Sequence, residues 1–327
     1  MMKAKIFMTG SRLVKEAEDI LNREGCIYEY GTPKDTSEEI AAKLRDFDPV
    51  GLIVRQGKIT KAVLDSAEKL KVICKHGVGV DNIDVDAATE KGIPVMITIN
   101  ANFQSVAEHA LALIFSLLRK VPKQDRDLRQ GIFNKVNYDG EELFKKTIGL
   151  IGFGRIGRRL AELVKPFEPK IFVYDPFLNN NSVPEYIEKT DDLEQVFKEA
   201  DIISLHCALT SETKGFINTD SIALMKSSAY IINTSRGPVV NEDDIVKALD
   251  EKRIAGAALD TFQKEPPDIS NPLFKLDNVI VTSHVGGASK SSLRNMGVGA
   301  VKNVLAVLKG DPLPMECVLN PQVFQGK

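Results

Sequence analysis

Short apolar runs alternate with segments of helical periodicity along the first hundred residues. The runs predict strands at Lys5–Met8, Cys26–Tyr30, Gly51–Val54, Val72–Lys75 and Val95–Ile97. Between them we predict helices at Ser11–Arg23, Thr36–Leu44, Thr60–Lys69 and from Val85 onward. Thr36 with Glu39 three residues later has the pattern of a capping box at a helix start. This alternation predicts a parallel sheet with helices on both faces.

The rest of the chain repeats this pattern after a long apolar-rich helix, Asn102–Arg119, and a polar segment, Pro122–Lys146. The helix is apolar on more than one face, so we expect it to bury two sides, between domains or in a subunit interface. Further strands are predicted at Thr147–Ile151, Ile171–Tyr174, Ile202–Leu205, Tyr230–Asn233, Gly256–Leu259 and Val279–Thr282, with helices near Leu193–Lys198, Asp220–Met225 and Glu242–Asp250. A last helix, Ser289–Leu308, is too long for this sheet, so we expect it to return to the first domain.

The prediction is therefore an α/β protein with two doubly wound parallel-sheet domains. One domain, residues 101–286, is inserted into another that is built from residues 1–100 and 287–327. The length suggests about two domains, in agreement with this division.

A glycine-rich turn follows the predicted strand at Thr147–Ile151. Gly152 permits a tight turn, Gly154 lets the backbone approach a pyrophosphate, and Gly157 lets the next helix pack close to the strand. The free N–H groups at the helix start then face the phosphates. Asp175, after the second strand, can accept hydrogen bonds from both ribose hydroxyls and would repel a 2′-phosphate. This pattern predicts a Rossmann domain that binds NAD, and a glycine-rich turn without a ligand is the alternative. The residues assigned to the cofactor here are Gly152, Gly154, Arg155, Ile156, Gly157 and Asp175.

Composition excludes several other classes of protein. The 327 residues carry a net charge of −2, which gives no electrostatic reason to expect nucleic acid or an anionic membrane as partner. No apolar run reaches the roughly eighteen residues of a membrane span, and the N-terminus leads directly into a strand-like run, so we expect no signal peptide. The four cysteines lack metal-ligand spacing, so we expect buried thiols, no metal site and a cytoplasmic location.

Five chemically active side chains follow the strands of the second predicted sheet: Asp175, His206, Arg236, Asp260 and His284. The carboxyl ends of parallel strands form one edge, where ligands bind. Hydride transfer to a ketone needs a proton donor that titrates near neutrality, which histidine supplies. A guanidinium suits the orientation of a 2-oxo acid, and Glu265 is placed to support the histidine.

Three of these segments resemble signatures of the D-isomer-specific 2-hydroxyacid dehydrogenases. They are Asn233-Thr-Ser-Arg236-Gly, Leu259-Asp260-Thr-Phe-Gln-Lys-Glu265-Pro-Pro and Thr282-Ser-His284-Val-Gly-Gly-Ala-Ser, and His76–Asp84 and Val106–His109 extend the resemblance over nearly the whole chain. The resemblance implies that Arg236 binds the substrate carboxylate and carbonyl, Glu265 supports the histidine, and His284 is the acid and base.

The same resemblance implies further contacts. Asp260 would hold the nicotinamide carboxamide, Thr234 would contact the cofactor, and backbone amides around Val78 and Gly79 would bind the substrate carboxylate. His206 is expected to pack beside the cofactor, and His109 to be structural. The family has a flavodoxin-like substrate domain made of both chain ends. Its dimers are built on the long helix after the first domain, and whether dimers pair into tetramers stays open.

Within this family, Leu52-Ile-Val-Arg55 and Leu70–Gly77 are most similar to the phosphoglycerate dehydrogenase branch. There, basic residues at the positions of Arg55 and Lys75 contact the substrate phosphate. Alternatively, Lys75 is a solvated lysine of a loop and has no role in binding. The chain ends near Lys327, so we expect a form without a serine-sensing regulatory domain. A glyoxylate/hydroxypyruvate reductase or another sugar-acid enzyme is also consistent with these residues.

A protein of a different class, an NAD(H)-sensing binding protein like the corepressor branch, is the remaining alternative. Loss of Arg236, Glu265 or His284 would favour it, but all three are present. The enzyme is therefore the preferred interpretation.

Overall fold

The computed structural model describes residues 3–136, 138–179 and 183–325. The chain divides into two compact units, Met1–Asn102 with Gly287–Lys327 (unit 1) and Phe103–Gly286 (unit 2). Each unit contains one parallel sheet covered by helices, so the predicted fold class is confirmed.

Unit 1 contains a five-stranded sheet in the order β2-β1-β3-β4-β5, which is the flavodoxin-like order. The strands are β1 (Lys5–Thr9), β2 (Ile27–Tyr30), β3 (Gly51–Val54), β4 (Val72–Lys75) and β5 (Val95–Met96), and the helices between them are α1 (Lys15–Arg23), α2 (Ser37–Phe47), α3 (Lys61–Asp65) and α4 (Val85–Glu90). All four residues of β3 are buried, as expected for a central strand that has helices on both faces.

The start of α2 shows how a local pattern determines an element boundary. The Thr36 hydroxyl accepts a hydrogen bond from the Glu39 N–H at 3.2 Å, and the Glu39 carboxylate accepts one from the Thr36 N–H at 2.8 Å. The predicted capping box is therefore confirmed, and the helix continues three residues beyond its predicted end to Phe47.

Unit 2 contains a seven-stranded sheet in the order β12-β11-β10-β9-β6-β7-β8, with every pair parallel. The strands are β6 (Thr147–Ile151), β7 (Lys170–Tyr174), β8 (Ile187–Lys189), β9 (Ile202–Leu205), β10 (Tyr230–Asn233), β11 (Gly256–Leu259) and β12 (Val279–Val281), and the helices are α5 (Phe103–Leu118), α6 (Val121–Arg129), α7 (Arg155–Val164), α8 (Leu193–Glu199), α9 (Thr219–Ala223) and α10 (Glu242–Asp250). The order reverses between β6 and β9, and in a Rossmann sheet this is where dinucleotides bind.

The last helix, α11 (Lys290–Lys309), is part of unit 1. It packs on β3, β4 and α1, and Val304 and Ala300 are fully buried in the cluster on that face. A Cβ at Gly51 would lie 2.7 Å from the Val304 Cγ1, so the glycine at the start of β3 lets α11 approach the sheet closely.

Two elements of unit 2 differ from the sequence prediction. The polar segment after the long helix contains α6, which has few apolar positions and is supported instead by ion pairs four residues apart, Lys123 with Asp127 and Asp125 with Arg129. The edge strand β8 was not predicted because its three residues are too few to form a pattern.

The long helix α5 was expected to lie between domains or in a subunit interface, and this stays a prediction. It packs inside unit 2, mainly on α7 and also on β10, β11 and β12. Its apolar side chains join one core cluster with those of β6 and β7. Within the described residues, no helix combines the length and apolar character required to cross a bilayer.

Candidate active site

The glycine turn between β6 and α7 is held by close backbone contacts. Gly152 has a φ of +92°, and a Cβ there would lie 2.6 Å from the Cys207 nitrogen at the end of β9. A Cβ at Gly157 would lie 2.5 Å from the Gly152 carbonyl oxygen, so only glycine lets α7 begin this close to β6. Gly154 differs, because nothing lies within 4 Å of the position of its Cβ. The turn is therefore closely packed at Gly152 and Gly157, and it borders open space at Gly154.

The start of α7 has the donors that an anion needs. Gly154 is the N-cap and provides no side-chain acceptor, so the first N–H groups of the helix have no side-chain cap. Arg155 is exposed and Ile156 is half-buried at the first two helical positions. Open space beside the Gly154 backbone, together with these N–H groups, fits a pyrophosphate.

Asp175 follows β7 and lies beside the same turn. Its carboxylate accepts hydrogen bonds from the Phe153 N–H at 2.8 Å and from the Phe177 N–H at 3.0 Å. Each oxygen receives one bond and keeps a further lone pair, so the carboxylate is oriented and can still accept from a ribose hydroxyl.

Three buried polar atoms at this sheet edge have no hydrogen-bond partner within the described part of the chain: His206 Nδ1, Thr234 Oγ1 and Thr261 Oγ1. They follow β9, β10 and β11 respectively. Burial lowers the pKa of His206 to about 4, so this imidazole is neutral at pH 7 and is a poor proton donor. Buried polar atoms are normally paired, so these three fit a polar ligand at this edge. Thr261 was missed from the sequence, although its place directly after Asp260 at a strand end could have indicated it.

His284 and Glu265 form a hydrogen-bonded pair in unit 2. His284 Nδ1 lies 2.8 Å from Glu265 Oε2, and both side chains are half-exposed. Burial alone would raise the pKa of Glu265, but the hydrogen bond and charge of His284, the Phe262 N–H and the charge of Arg236 together lower it below its usual value. Glu265 is therefore a carboxylate at neutral pH and accepts a hydrogen bond from the Nδ1–H of His284.

Arg236 follows β10 and contributes the cation of this group. Its guanidinium donates to the Ser235 carbonyl at 2.8 Å, and the Asn233 side chain donates to the Arg236 carbonyl at 2.9 Å. A Cβ at Gly237 would lie 1.9 Å from the Phe262 carbonyl carbon, so the backbone after Arg236 touches the segment that leads to Glu265. The structure thus places Arg236 near enough for its charge to act on Glu265, the partner of His284, and the role of Arg236 in binding substrate stays a prediction.

Asp260, predicted to hold the nicotinamide carboxamide, has only 2% of its surface exposed. Burial would raise the pKa of this carboxyl, but hydrogen bonds from His109, Thr282 and the N–H groups of Val285 and Gly286 lower it. The carboxylate is therefore engaged inside unit 2, and its contact with the nicotinamide stays a prediction.

The residues expected to bind substrate from unit 1 lie at the carboxyl ends of β3 and β4. The Arg55 guanidinium donates to the Ser11 carbonyl at 2.8 Å and also to the Arg12 carbonyl. Burial lowers the pKa of Arg55. Lys75 donates to the Asn82 side chain at 2.7 Å and to the Arg55 carbonyl at 3.3 Å. Arg55 and Lys75 are therefore both hydrogen-bonded to neighbouring groups of unit 1.

Val78 and Gly79 lie in the loop after β4, and Val78 is exposed. Gly77, which precedes them in this loop, has a φ of +130°, and its N–H donates to the Thr98 hydroxyl at 2.9 Å. Within the described residues, no group of three or more His, Cys, Asp or Glu side chains is arranged to hold a metal.

This chain is similar to several proteins of known family. Residues 111–286 match the model of the D-isomer specific 2-hydroxyacid dehydrogenase NAD-binding domain. The D-3-phosphoglycerate dehydrogenase of Methanocaldococcus jannaschii is 41% identical over 294 residues, which cover 89% of this chain and 55% of that protein. The chain spans about half the length of three such phosphoglycerate dehydrogenases that it matches.

Other relatives match along their whole length. The glyoxylate reductase of Thermofilum pendens is 37% identical, with 99% of this chain and 97% of that protein covered. The crystal structure of a D-isomer specific 2-hydroxyacid dehydrogenase from Lactobacillus delbrueckii ssp. bulgaricus in its NAD-complexed form aligns with a TM-score of 0.77 at 26% identity, covering 97% of this chain and 100% of that one.

Proposed function

Because this chain belongs to the D-isomer-specific 2-hydroxyacid dehydrogenase family, we propose that it interconverts a D-2-hydroxy acid and its 2-oxo acid with NAD. The observation that carries this proposal is the group Arg236, Glu265 and His284 in the same unit as the dinucleotide-type glycine turn. His284 Nδ1 lies 2.8 Å from a Glu265 carboxylate oxygen, which is the arrangement that a proton-transferring histidine needs.

The residues have separate tasks in this mechanism. Bound NAD supplies the hydride chemistry. His284 gives a proton from Nε2 to the carbonyl oxygen during reduction and takes it back during oxidation, while Glu265 holds Nδ1–H and stabilises the charged ring. Arg236 binds the carboxylate and the carbonyl oxygen, where negative charge develops. The backbone amides of Val78 and Gly79 in unit 1 are proposed to bind the substrate carboxylate.

His284→Ala tests the acid–base role. We expect turnover to fall by at least about two orders of magnitude, because general acid catalysis contributes roughly 10²–10⁴-fold, while NADH binding stays nearly unchanged. The rate of NADH oxidation measures turnover, and NADH fluorescence measures NADH binding. Unchanged turnover would remove His284 from the mechanism.

For the substrate, we propose a phosphorylated three-carbon acid, the 3-phosphoglycerate/3-phosphohydroxypyruvate pair of serine biosynthesis. Arg55 and Lys75 support this because they lie at the ends of adjacent parallel strands, and a dianionic phosphate needs at least two cationic or amide donors. An unphosphorylated acid, glyoxylate or hydroxypyruvate, is the second candidate. It is favoured by the contacts that these two cations make with Asn82 and with backbone carbonyls.

NADH consumption with 3-phosphohydroxypyruvate, hydroxypyruvate, glyoxylate and pyruvate decides between these candidates. If the phosphate site is real, kcat/KM is highest for the phosphorylated acid, and Lys75→Gln raises KM for that acid alone. Equal or better rates with the unphosphorylated acids would show that Arg55 and Lys75 do not form a phosphate site and serve only structural contacts. If no acid is turned over while NADH binds, the NAD(H)-sensing protein becomes the better interpretation.

We also propose that the chain forms a homodimer through α6 and the segment that follows it. Apolar side chains are exposed there, including Val121 at 52%, Leu128 at 60%, Ile132 at 50% and Phe133 at 79%, and they border one shallow groove. Contiguous exposed apolar surface of this kind marks a protein contact, and a second copy presents the same surface.

Light scattering after size exclusion tests this assembly. Phe133→Glu should yield monomers, and Ile269→Glu, a change at an even more exposed apolar residue outside the groove, should not. A dimer that survives Phe133→Glu would place the interface elsewhere, and a tetramer would require a second contact.

A further inference from the structure

A buried polar cluster in unit 2 holds the loop that carries His284. The Asp260 Oδ1 atom accepts hydrogen bonds from Thr282 Oγ1 at 2.5 Å and from the Val285 N–H at 2.9 Å. Its Oδ2 atom accepts one from the Gly286 N–H at 2.9 Å. The backbone carbonyl of Asp260 accepts a fourth, from the His284 N–H, at 2.8 Å. Asp260, directly after β11, therefore binds four groups of the loop that follows β12.

These bonds hold a backbone conformation that a histidine would not keep by itself. His284 has a φ of +55°, in the left-handed region that side chains with a Cβ disfavour. The N–H of His284 and the N–H of the next residue, Val285, both donate to Asp260. Since Asp260 binds both N–H groups, it fixes the backbone of His284 and thereby the direction in which the His284 side chain projects.

His109 on α5 completes this cluster. Its Nε2 lies 3.1 Å from Thr282 Oγ1 and 3.4 Å from Asp260 Oδ1. The single hydroxyl proton of Thr282 is donated to Asp260, so the proton between Thr282 and His109 must come from the imidazole. The hydrogen-bond network therefore assigns a proton to the Nε2 of His109. Gly286 makes room for the ring, because a Cβ there would lie 3.3 Å from His109 Cδ2 and 3.0 Å from Asp260 Oδ2.

We propose that His109 is a positioning residue for His284, acting through the Thr282 hydroxyl and the Asp260 carboxylate. The inference rests on the proposed dehydrogenase function, since it assigns His109 to the proton-transfer step of that reaction. Without the imidazole N–H, the Thr282 hydroxyl is free to rotate away from Asp260, and the buried carboxylate loses a donor. The loop then holds His284 less firmly, and proton transfer at its Nε2 slows while the glycine turn and Asp175 are untouched.

Substitutions test the kinetic consequence. His109→Phe keeps a ring without a donor and should lower kcat about threefold to tenfold, the effect of one neutral hydrogen bond. Thr282→Val should lower kcat by a similar factor, and the double variant should lose no more than either single variant. His109→Gln, which places an amide donor near the position of Nε2, should recover most of the loss. Glu108→Gln, at the exposed neighbouring position of α5, is the matched control.

NADH affinity and thermal stability separate positioning from general damage. The proposal requires that the NADH dissociation constant changes less than twofold in the variants that lose kcat. It is overturned if a folded His109→Phe protein keeps wild-type kcat, if His109→Gln loses as much as His109→Phe, or if the loss of kcat follows a loss of NADH affinity.

A measurement on the unsubstituted protein does not depend on activity. The chain has only four histidines, so 15N-labelled imidazole signals can be assigned by single substitutions. His109 should show a proton on Nε2, and an Nε2 without a proton overturns the proposal. His109→Phe and Thr282→Val should also move the His284 ring signals, and Glu108→Gln should not. If the wild-type protein turns over no acid, the proposed function fails. If the His284 ring signals do not move in His109→Phe and Thr282→Val, this inference fails, whatever the activity.

Discussion

Acid should destabilise unit 1 through His76, a buried histidine beside two cations. The residue is only 9% exposed, and burial first, then the charges of Arg55 and Lys75, lower its pKa to about 3. In the unfolded chain a histidine titrates near pH 6.5, at about its reference value. Between these two values the unfolded state binds a proton that the folded state does not. The contribution of His76 to the free energy of unfolding is therefore complete above about pH 6.5, and it is lost as the pH falls toward 3.

The magnitude follows from the size of the pKa difference. Each pH unit inside this interval corresponds to about 1.4 kcal/mol, so His76 contributes a loss of about 2 kcal/mol between pH 7 and pH 5. The complete interval corresponds to roughly 5 kcal/mol, an order-of-magnitude value. The pKa of the Glu265 carboxyl is lowered in the folded state, so the stabilisation from this group is lost only below about pH 4.5, outside the range from pH 7 to pH 5.

Urea unfolding at pH 7 and pH 5 measures this effect. Wild-type protein should lose about 2 kcal/mol more than His76→Gln over this range, because the glutamine cannot take up a proton. His206→Gln in unit 2 should reduce the acid sensitivity by a similar amount over the same range, since burial lowers the pKa of His206 to about 4. Equal losses for wild type and His76→Gln would show that His76 is not held neutral in the folded state.

The other predictions concern the cofactor turn and the catalytic pair. Gly157→Ala places a methyl 2.5 Å from the Gly152 carbonyl, so it should destabilise the protein by about 1–3 kcal/mol in urea unfolding, whereas Gly154→Ala meets no atom within 4 Å and should weaken NADH binding at unchanged stability. Equal stability of the two variants would contradict this reasoning. Asp175→Ala should raise kcat/KM with NADPH relative to NADH, and an unaltered ratio would show that this carboxylate does not read the ribose. Glu265→Gln should lower kcat about tenfold with little change in NADH affinity, because a charge-assisted hydrogen bond becomes a neutral one, and full retention of kcat would exclude that role.

The strands and the glycine turn could be predicted from the sequence because their causes are local. The runs of β3, β4, β6, β9, β10 and β11 were predicted with the bounds that the structure has, since a strand buried on both faces is largely apolar. The capping box of α2 involves only residues three positions apart. The group of Arg236, Glu265 and His284 could be predicted because parallel strands bring their carboxyl ends to one edge.

Contacts between residues distant in sequence were decided only by the tertiary structure. Nothing local to His109 indicates that its ring reaches Thr282 and Asp260, which lie more than 150 positions away, and it was expected to be merely structural. Sequence also could not show that Lys75 donates to Asn82 or that α5 packs mainly on α7, because such packing depends on where the chain returns. Residue type and spacing determined which chemistry is present. The fold determined which of these groups are engaged by neighbours, since hydrogen bonding and burial depend on the whole surrounding structure.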